Sequence, residues 1–393
     1  MTRPATRLLF CAVTIVVVLG SLELLAWPVL ALLGSNWRFD MSTIAERFEE
    51  QSRLLNDLIA GQGRLLLKID AELGWVMAPN YSGTGYSTNS QGLRGTREYS
   101  PRPAAGVIRV AAFGDSFVFG NEVRDKEAWS IVAEQMEPRL EVLNYGAGGY
   151  GPDQALMLYR RRGREFAPRV VVLGFPEVDL ARVVNRYQRF LRIHAPPLFK
   201  PRFELDPAGE LRLIPNPFPG ESSLRKVLAD PSLALQASVR DEIFDPLVWR
   251  NPLYDHSRLV RVASTVASRA WRVGLRPDRL DRGNEMNRDS EAFHILVQIV
   301  RTFAREVVAN GETFVFVIFP MRDADIWGGG RRSYATLVEA LPDITILDLA
   351  DPLRADPQVT PATMRAPNNH YSGLANRTTA RALVELLRTR GLL

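Results

Sequence analysis

The chain is poor in the residues that most often carry metal or redox chemistry. It has a single cysteine, Cys11, in 393 residues. That excludes a disulfide framework, a thiolate zinc site and an iron–sulfur cluster. Its four histidines are His194, His256, His294 and His370. None is spaced for metal binding, so neither a metal nor another cofactor is expected. Lysine is scarce too: the 49 Lys and Arg residues include only Lys68, Lys126, Lys200 and Lys226. The arginines are dispersed, without a basic run to follow phosphates, and nucleic acid is not an expected partner.

Apolar material is ample. Hydrophobic residues make up 46% of the chain and charged ones 24%, which suits a packed core and rules out global disorder. At the N-terminus, Arg3 and Arg7 precede an uncharged run, Leu8–Gly20, that continues through Ser21, Glu23 and Pro28 to about Leu33. About 20 such residues cross a hydrocarbon core. Positive charge ahead of the run keeps that end in the cytoplasm. The expectation is an uncleaved signal-anchor within residues 1–36, with the bulk of the chain extracytoplasmic. A cleaved signal peptide is the alternative. Glu23 falls toward the outer third of the span, within reach of the interface.

Residues 37–106 read as a juxtamembrane amphipathic helix (42–67, closed near Gly61) followed by a Gly-, Asn- and Tyr-rich lead-in. A regular alternation then begins. Strands are expected at Val107–Phe113, Leu140–Tyr145, Val170–Phe175, Thr313–Phe319 and Ile344–Leu347. Helices are expected near 128–136, 153–165, 288–309, 332–340 and 373–389. Val170–Phe175 is apolar on both faces, as in a parallel strand covered by helices. The pattern predicts an α/β domain over 107–393: a doubly wound, flavodoxin-like parallel sheet of about five strands between helices. A proline-rich stretch, 181–285, interrupts it after the third strand. With a hairpin at Arg202–Leu205 and Leu211–Ile214 and a helix near 257–272, it reads as an inserted lid or side lobe. Its aromatic residues, Phe190, Phe199, Phe203, Phe218, Phe244 and Trp249, are packing residues or the lining of a ligand groove.

In such sheets the working groups gather at the carboxyl ends of the strands. Ser116 leaves the first strand at a helix start, where its backbone N–H can stabilise an anion; a plain helix cap is the other reading. His370 sits in a polar loop before the last helix, and that loop can return to the same sheet edge. Gly146-x-Gly148-x-x-Gly151 fits a dinucleotide fingerprint, with Glu177 as a ribose ligand. Against that, it follows the second strand rather than the first, and Pro152 interrupts the helix entry. Tight turns and close packing are the alternative use of these glycines.

Val110–Gly120 (VAAFGDSFVFG) resembles the first block of the SGNH, or GDSL-type, hydrolase and acyltransferase superfamily. Asn144–Gln154 (NYGAGGYGPDQ) is similar to its second block, and His370-Tyr371-Ser372 to its last. Asn89–Gly95 is similar to the lead-in of membrane-anchored members. The resemblance covers about residues 70–180 and 285–390. It implies an extracytoplasmic serine esterase or deacylase acting on acyl esters of cell-envelope glycans or lipids. An O-acyltransferase for an exported polysaccharide, or a catalytically degenerate binding protein of the same fold, are the alternatives. It implies Ser116 as nucleophile, His370 as general base, and the N–H groups of Ser116 and Gly149 as oxyanion donors. Asp115 would fix the turn. Partners would be an acylated glycan or lipid, the membrane through the N-terminal helix, and other polysaccharide-export or modification proteins.

Two positions depart from the family pattern. Val178 stands where an asparagine would supply a third oxyanion donor. Asn368, two residues before His370, stands where an aspartate is expected. Asparagine can orient an imidazole but cannot stabilise its cation, so on this reading Asn368→Asp should raise the rate. Substitute acids could come from Asp348, Asp351, Asp356, Asp323 or Asp325.

Overall fold

The structure, a computed structural model, describes residues 4–36, 42–61, 66–187 and 197–393. The chain divides into two compact units: Met1–Leu54 with Ile243–Pro277, and Leu55–Glu242 with Asp278–Leu393. The main helices, with the short one that carries Ser116, are α1 (Pro4–Asn36), α2 (Ile44–Ala60), α3 (Ser116–Phe119), α4 (Trp129–Met136), α5 (Pro152–Arg162), α6 (Arg258–Ala270), α7 (Glu291–Ala309) and α8 (Gly373–Thr389). The main sheet is built from β1 (Ile108–Phe113), β2 (Leu140–Asn144), β3 (Val170–Pro176), β4 (Thr313–Phe319) and β5 (Ile346–Asp348).

Every pairing in this sheet is parallel, in the order β2-β1-β3-β4-β5. That is the flavodoxin-like order, whose topological switch point lies between β1 and β3. The strands follow the period of two that a pleated backbone imposes. In β4, Phe314, Phe316 and Ile318 enter one core, and Val315, Val317 and Phe319 the other. The first core is closed by α5 and α7, the second by α4 and α8. In α7, Ile295, Leu296, Ile299, Val300 and Phe303 form the helical stripe that faces the sheet, and Ser290 caps the helix by accepting from Phe293 N at 3.2 Å. Each fully buried side chain of this kind stabilises the fold by about 1.5–3 kcal/mol.

Leu67–Asp70 pairs with Gly74–Met77 as an antiparallel hairpin, and Trp75 on it is completely buried. In the stretch after β3, the hairpin Arg202–Leu205/Leu211–Ile214 forms at the expected residues, joined by helices at Gly220–Ala229 and Ser232–Ala237. Phe190 and His194 lie outside the described residues. His256 and His294 are exposed.

In the smaller unit, α1 contains an apolar stretch, Thr6–Leu32, long enough to cross a membrane. Asp255 caps α2, accepting from Ile44 N at 2.7 Å and Ala45 N at 3.1 Å.

Candidate active site

The site begins where β1 parts from β3. Gly114 has φ +152°, and a Cβ there would meet the Gly174 carbonyl oxygen at 2.8 Å and Val118 Cγ2 at 2.5 Å. Only glycine lets the chain turn so close to the neighbouring strand. Asp115 follows, fully buried. Its Oδ1 accepts from Phe117 N at 2.8 Å and so caps the single turn of α3. Ser116 is the first residue of that turn. Gly120, in the left-handed region at φ +77°, ends it after four residues.

Ser116 Oγ lies 2.9 Å from His370 Nε2, the two residues coming from opposite ends of the larger unit. The histidine is held by a turn in which Ala366 N donates to the His370 carbonyl at 2.8 Å. Its ring is tilted against Phe117, with centroids 5.2 Å apart. Tyr371, next in sequence, donates its hydroxyl to the Pro320 carbonyl at 2.9 Å and packs edge-on against Phe117. The loops after β1 and β4 and the turn before α8 therefore converge on one edge of the sheet.

The group at the other imidazole nitrogen is a glutamate. Glu122 Oε2 lies 2.7 Å from His370 Nδ1 and also accepts from His370 N at 3.1 Å. Its Oε1 accepts from Asn368 N at 2.8 Å and Asn368 Nδ2 at 2.5 Å. Burial works to raise the Glu122 carboxyl pKa, but the bonds from His370 and Asn368 prevail and hold it below the ordinary glutamate value. Glu122 adopts φ +66° and Asn369 φ +71°. The left-handed backbone costs a non-glycine residue about 1–2 kcal/mol, and such strain persists where surrounding bonds fix it. Here both strained residues flank the carboxylate–imidazole contact.

Asn368 thus reaches the acid rather than the imidazole, and none of the five aspartates considered as substitutes occupies the place of Glu122. Asp348 pairs with Arg332 and Tyr334, Asp351 with Arg332 and Arg354, and Asp356 with Thr378 and Arg381. Asp323 pairs with Arg365, and Asp325 accepts from Ser333. The sequence signal for Glu122 was its position six residues after Ser116, just past a helix-ending glycine. No spacing rule points from there to a histidine 248 residues away.

The glycine loop after β2 lies against α3. Ala147 N donates to the Gly114 carbonyl at 3.0 Å. A Cβ on Gly146 would fall 2.2 Å from Phe119 N. Asn144 Nδ2 donates to the Val118 carbonyl at 2.7 Å while its Oδ1 accepts from Gly146 N at 2.9 Å. Trp75 Nε1 donates to the Gly148 carbonyl at 2.9 Å. In a trans peptide the carbonyl and the next N–H point to opposite sides, so this bond turns the Gly149 N–H away from Trp75. Gly146 serves close packing, and no phosphate-sized gap remains between it and the backbone of Phe119.

One arginine joins the three loops. Arg182 Nη1 lies 3.0 Å from Asp115 Oδ2 and 2.5 Å from Asp179 Oδ1, and donates to the Tyr150 carbonyl at 2.8 Å. Burial alone would favour loss of its proton, but Asp179 and Asp115 outweigh that and raise its pKa. Val178 begins a short helical turn and offers no side-chain donor. Its neighbour Glu177 is buried and accepts from Met321 N at 3.0 Å with both oxygens. Desolvation pushes its carboxyl up to about 7. A carboxylate bonded inward in this way is not presented to a ribose.

No protein-family profile matches the chain, and no curated protein matches it in sequence. The chain is similar in structure to G-D-S-L family lipolytic proteins. One, from Veillonella parvula DSM 2008, is 10% identical with a TM-score of 0.35, over 72% of this chain and 99% of that one. A lipase/acylhydrolase from Enterococcus faecalis is 11% identical with a TM-score of 0.34, over 72% and 97%. An acetylxylan esterase from Geobacillus stearothermophilus, a catalytic mutant, is 12% identical with a TM-score of 0.24, over 73% and 95%. These likenesses are distant, and the chemistry of the site rests on its own geometry.

Proposed function

We propose that this protein is a serine esterase acting on acyl esters of cell-envelope glycans or lipids, held at the membrane by α1 with its larger unit outside the cytoplasm. The observation that carries the reading is the unbroken hydrogen-bonded series Ser116 Oγ, His370 Nε2, His370 Nδ1, Glu122 Oε2, at 2.9 and 2.7 Å. A hydroxyl, an imidazole and a partly buried carboxylate in this order can move a proton off the nucleophile and stabilise the imidazolium that results.

In the first half-reaction Ser116 Oγ attacks the ester carbonyl carbon while His370 Nε2 takes its proton. The negative oxygen that develops is held by the backbone N–H groups of Ser116 and Gly149. Each such donor is worth about 3 kcal/mol in the transition state. The tetrahedral species collapses, His370 gives the proton to the departing alcohol, and the acyl group stays on Ser116. Water, activated by the same imidazole, then releases the acid. Val178, in place of an amide, adds no side-chain donor to these two backbone groups.

If the second acceptor is a sugar hydroxyl instead of water, the same residues perform acyl transfer. The experiment uses the full chain in detergent with an activated acetyl ester. Turnover is expected, with a loss of about a millionfold in Ser116→Ala. Equal rates for the two proteins would leave a non-catalytic binding protein. Hydrolysis that gives way to acylated product when envelope glycan is added would assign the transferase.

A further inference from the structure

In the smaller unit, the second half of α6 has its polarity reversed. In α6 the buried side chains are Ser264, Thr265 and Ser268, while Ala263, Val266, Ala267 and Ala270 are exposed, as are Arg258 and Arg269 nearer the polar edge of the helix. A helix on a water-facing surface does the opposite, burying its apolar stripe. The inward groups are satisfied locally: Asn251 Nδ2 donates to Ser264 Oγ at 3.0 Å, and the Tyr254 and Thr265 hydroxyls lie 3.2 Å apart. Small polar residues inside and apolar ones outside are the pattern of helices packed in lipid.

The same segment concentrates exposed apolar surface. Outside α1, Leu213, Val239 and Val308 are exposed singly, whereas Leu247, Leu253, Val266, Trp271 and Leu275 all fall within 247–275. Scattered apolar side chains are ordinary, but their concentration in one segment points to a contact surface.

What covers it is indicated by α1. The α6 N-terminus packs against that helix through Glu23, whose carboxylate accepts from Ser257 Oγ at 2.7 Å, Arg258 N at 2.5 Å and Leu259 N at 3.1 Å. Glu23 lies about 26 Å along α1 from Thr6, near the far boundary of a hydrocarbon core about 30 Å thick. On the same stretch of α1, Ala26 is buried while Leu24, Leu25 and Trp27 face outward. With 13 residues, α6 is about 20 Å long, too short to cross a bilayer.

We propose that α6 and the turn Trp271–Leu275 that continues it lie in the non-cytoplasmic leaflet beside α1, with Val266, Trp271 and Leu275 against lipid acyl chains. The proposal rests on α1 being the membrane helix. It makes α1 a retained structural part of the unit, since cleavage would remove the carboxylate that caps α6.

The test places the full chain in nanodiscs of phosphatidylcholine and phosphatidylglycerol. In a Cys11→Ala background, single nitroxide labels are attached through Val266→Cys, through Val16→Cys on α1, and through Glu385→Cys on the exposed side of α8. The Val266 label is expected to relax with oxygen as the Val16 label does, and to lose the relaxation by a water-soluble nickel chelate that the Glu385 label shows. Nickel access at Val266 with Val16 still shielded would overturn the lipid contact and leave the anchor intact. Shielding of Val266 from both reagents would mean a protein cover and would overturn it too. Nickel access at Val16 itself would overturn both readings through the anchor.

Discussion

Glu122 Oε2 stands 2.7 Å from His370 Nδ1 although 248 positions separate the two residues. The acid therefore comes from the turn that carries Ser116, and the turn that carries His370 supplies none. That arrangement reverses the expectation for Asn368. Its Nδ2 donates to Glu122 Oε1 at 2.5 Å, so an aspartate there would face a like charge across the same gap.

Glu122→Gln should lower kcat by up to about 10⁴, the size of the corresponding acid-to-amide change in a serine protease. Asn368→Asp alone should lower the rate as well. The double variant Glu122→Gln/Asn368→Asp should recover part of the Glu122→Gln loss, because it restores a single negative charge two residues from His370 without a like charge opposite it. Steady-state kinetics on an activated acetyl ester gives all three values. An Asn368→Asp rate above that of the unaltered protein would show that Glu122 is not the working acid.

Arg182→Met should cost about 3–5 kcal/mol, because it leaves Asp115 and Asp179 buried without their cation. Urea unfolding monitored by tryptophan fluorescence measures this. A change below 1 kcal/mol, on the order of an exposed ion pair, would mean that the loops hold themselves.

The Glu177 carboxyl gives stability a pH dependence of known sign. Its folded pKa, pushed up to about 7, exceeds the ordinary 4.5. The protonated form is therefore favoured by folding, and the contribution is fully present below pH 4.5 and lost as pH rises through 7. Glu177→Gln should flatten unfolding stability between these values and raise it at pH 8 by about 3 kcal/mol. Parallel stability curves for the two proteins over this window would show that the carboxyl ionises freely in the folded state.

The sheet was legible because β3 and β4 are apolar on both faces, which fixes parallel strands between two helical layers regardless of distant contacts. Strand Thr313–Phe319 and helix Gly373–Thr389 form at the residues expected from that pattern. That Ser116 and His370 come together was legible because one follows a strand and the other precedes a helix at the same edge. Arg182 and Trp75 were not, since a buried arginine and an indole donor act through loop backbones that no periodicity describes. Glu122 was hidden for a different reason. Its side chain serves only because Gly120 ends α3 and the backbone turns left-handed two residues later, a bend that sequence spacing does not reveal.

Because the Ser116 hydroxyl and the Glu122 carboxylate share one seven-residue turn, only an imidazole has to be delivered from the far end of the polypeptide. On the proposed reading, a screen that demands an acidic residue just ahead of that histidine would misfile this chain as a pseudoenzyme. Searching instead for a glutamate shortly after the serine would retrieve chains that bring both groups on one turn.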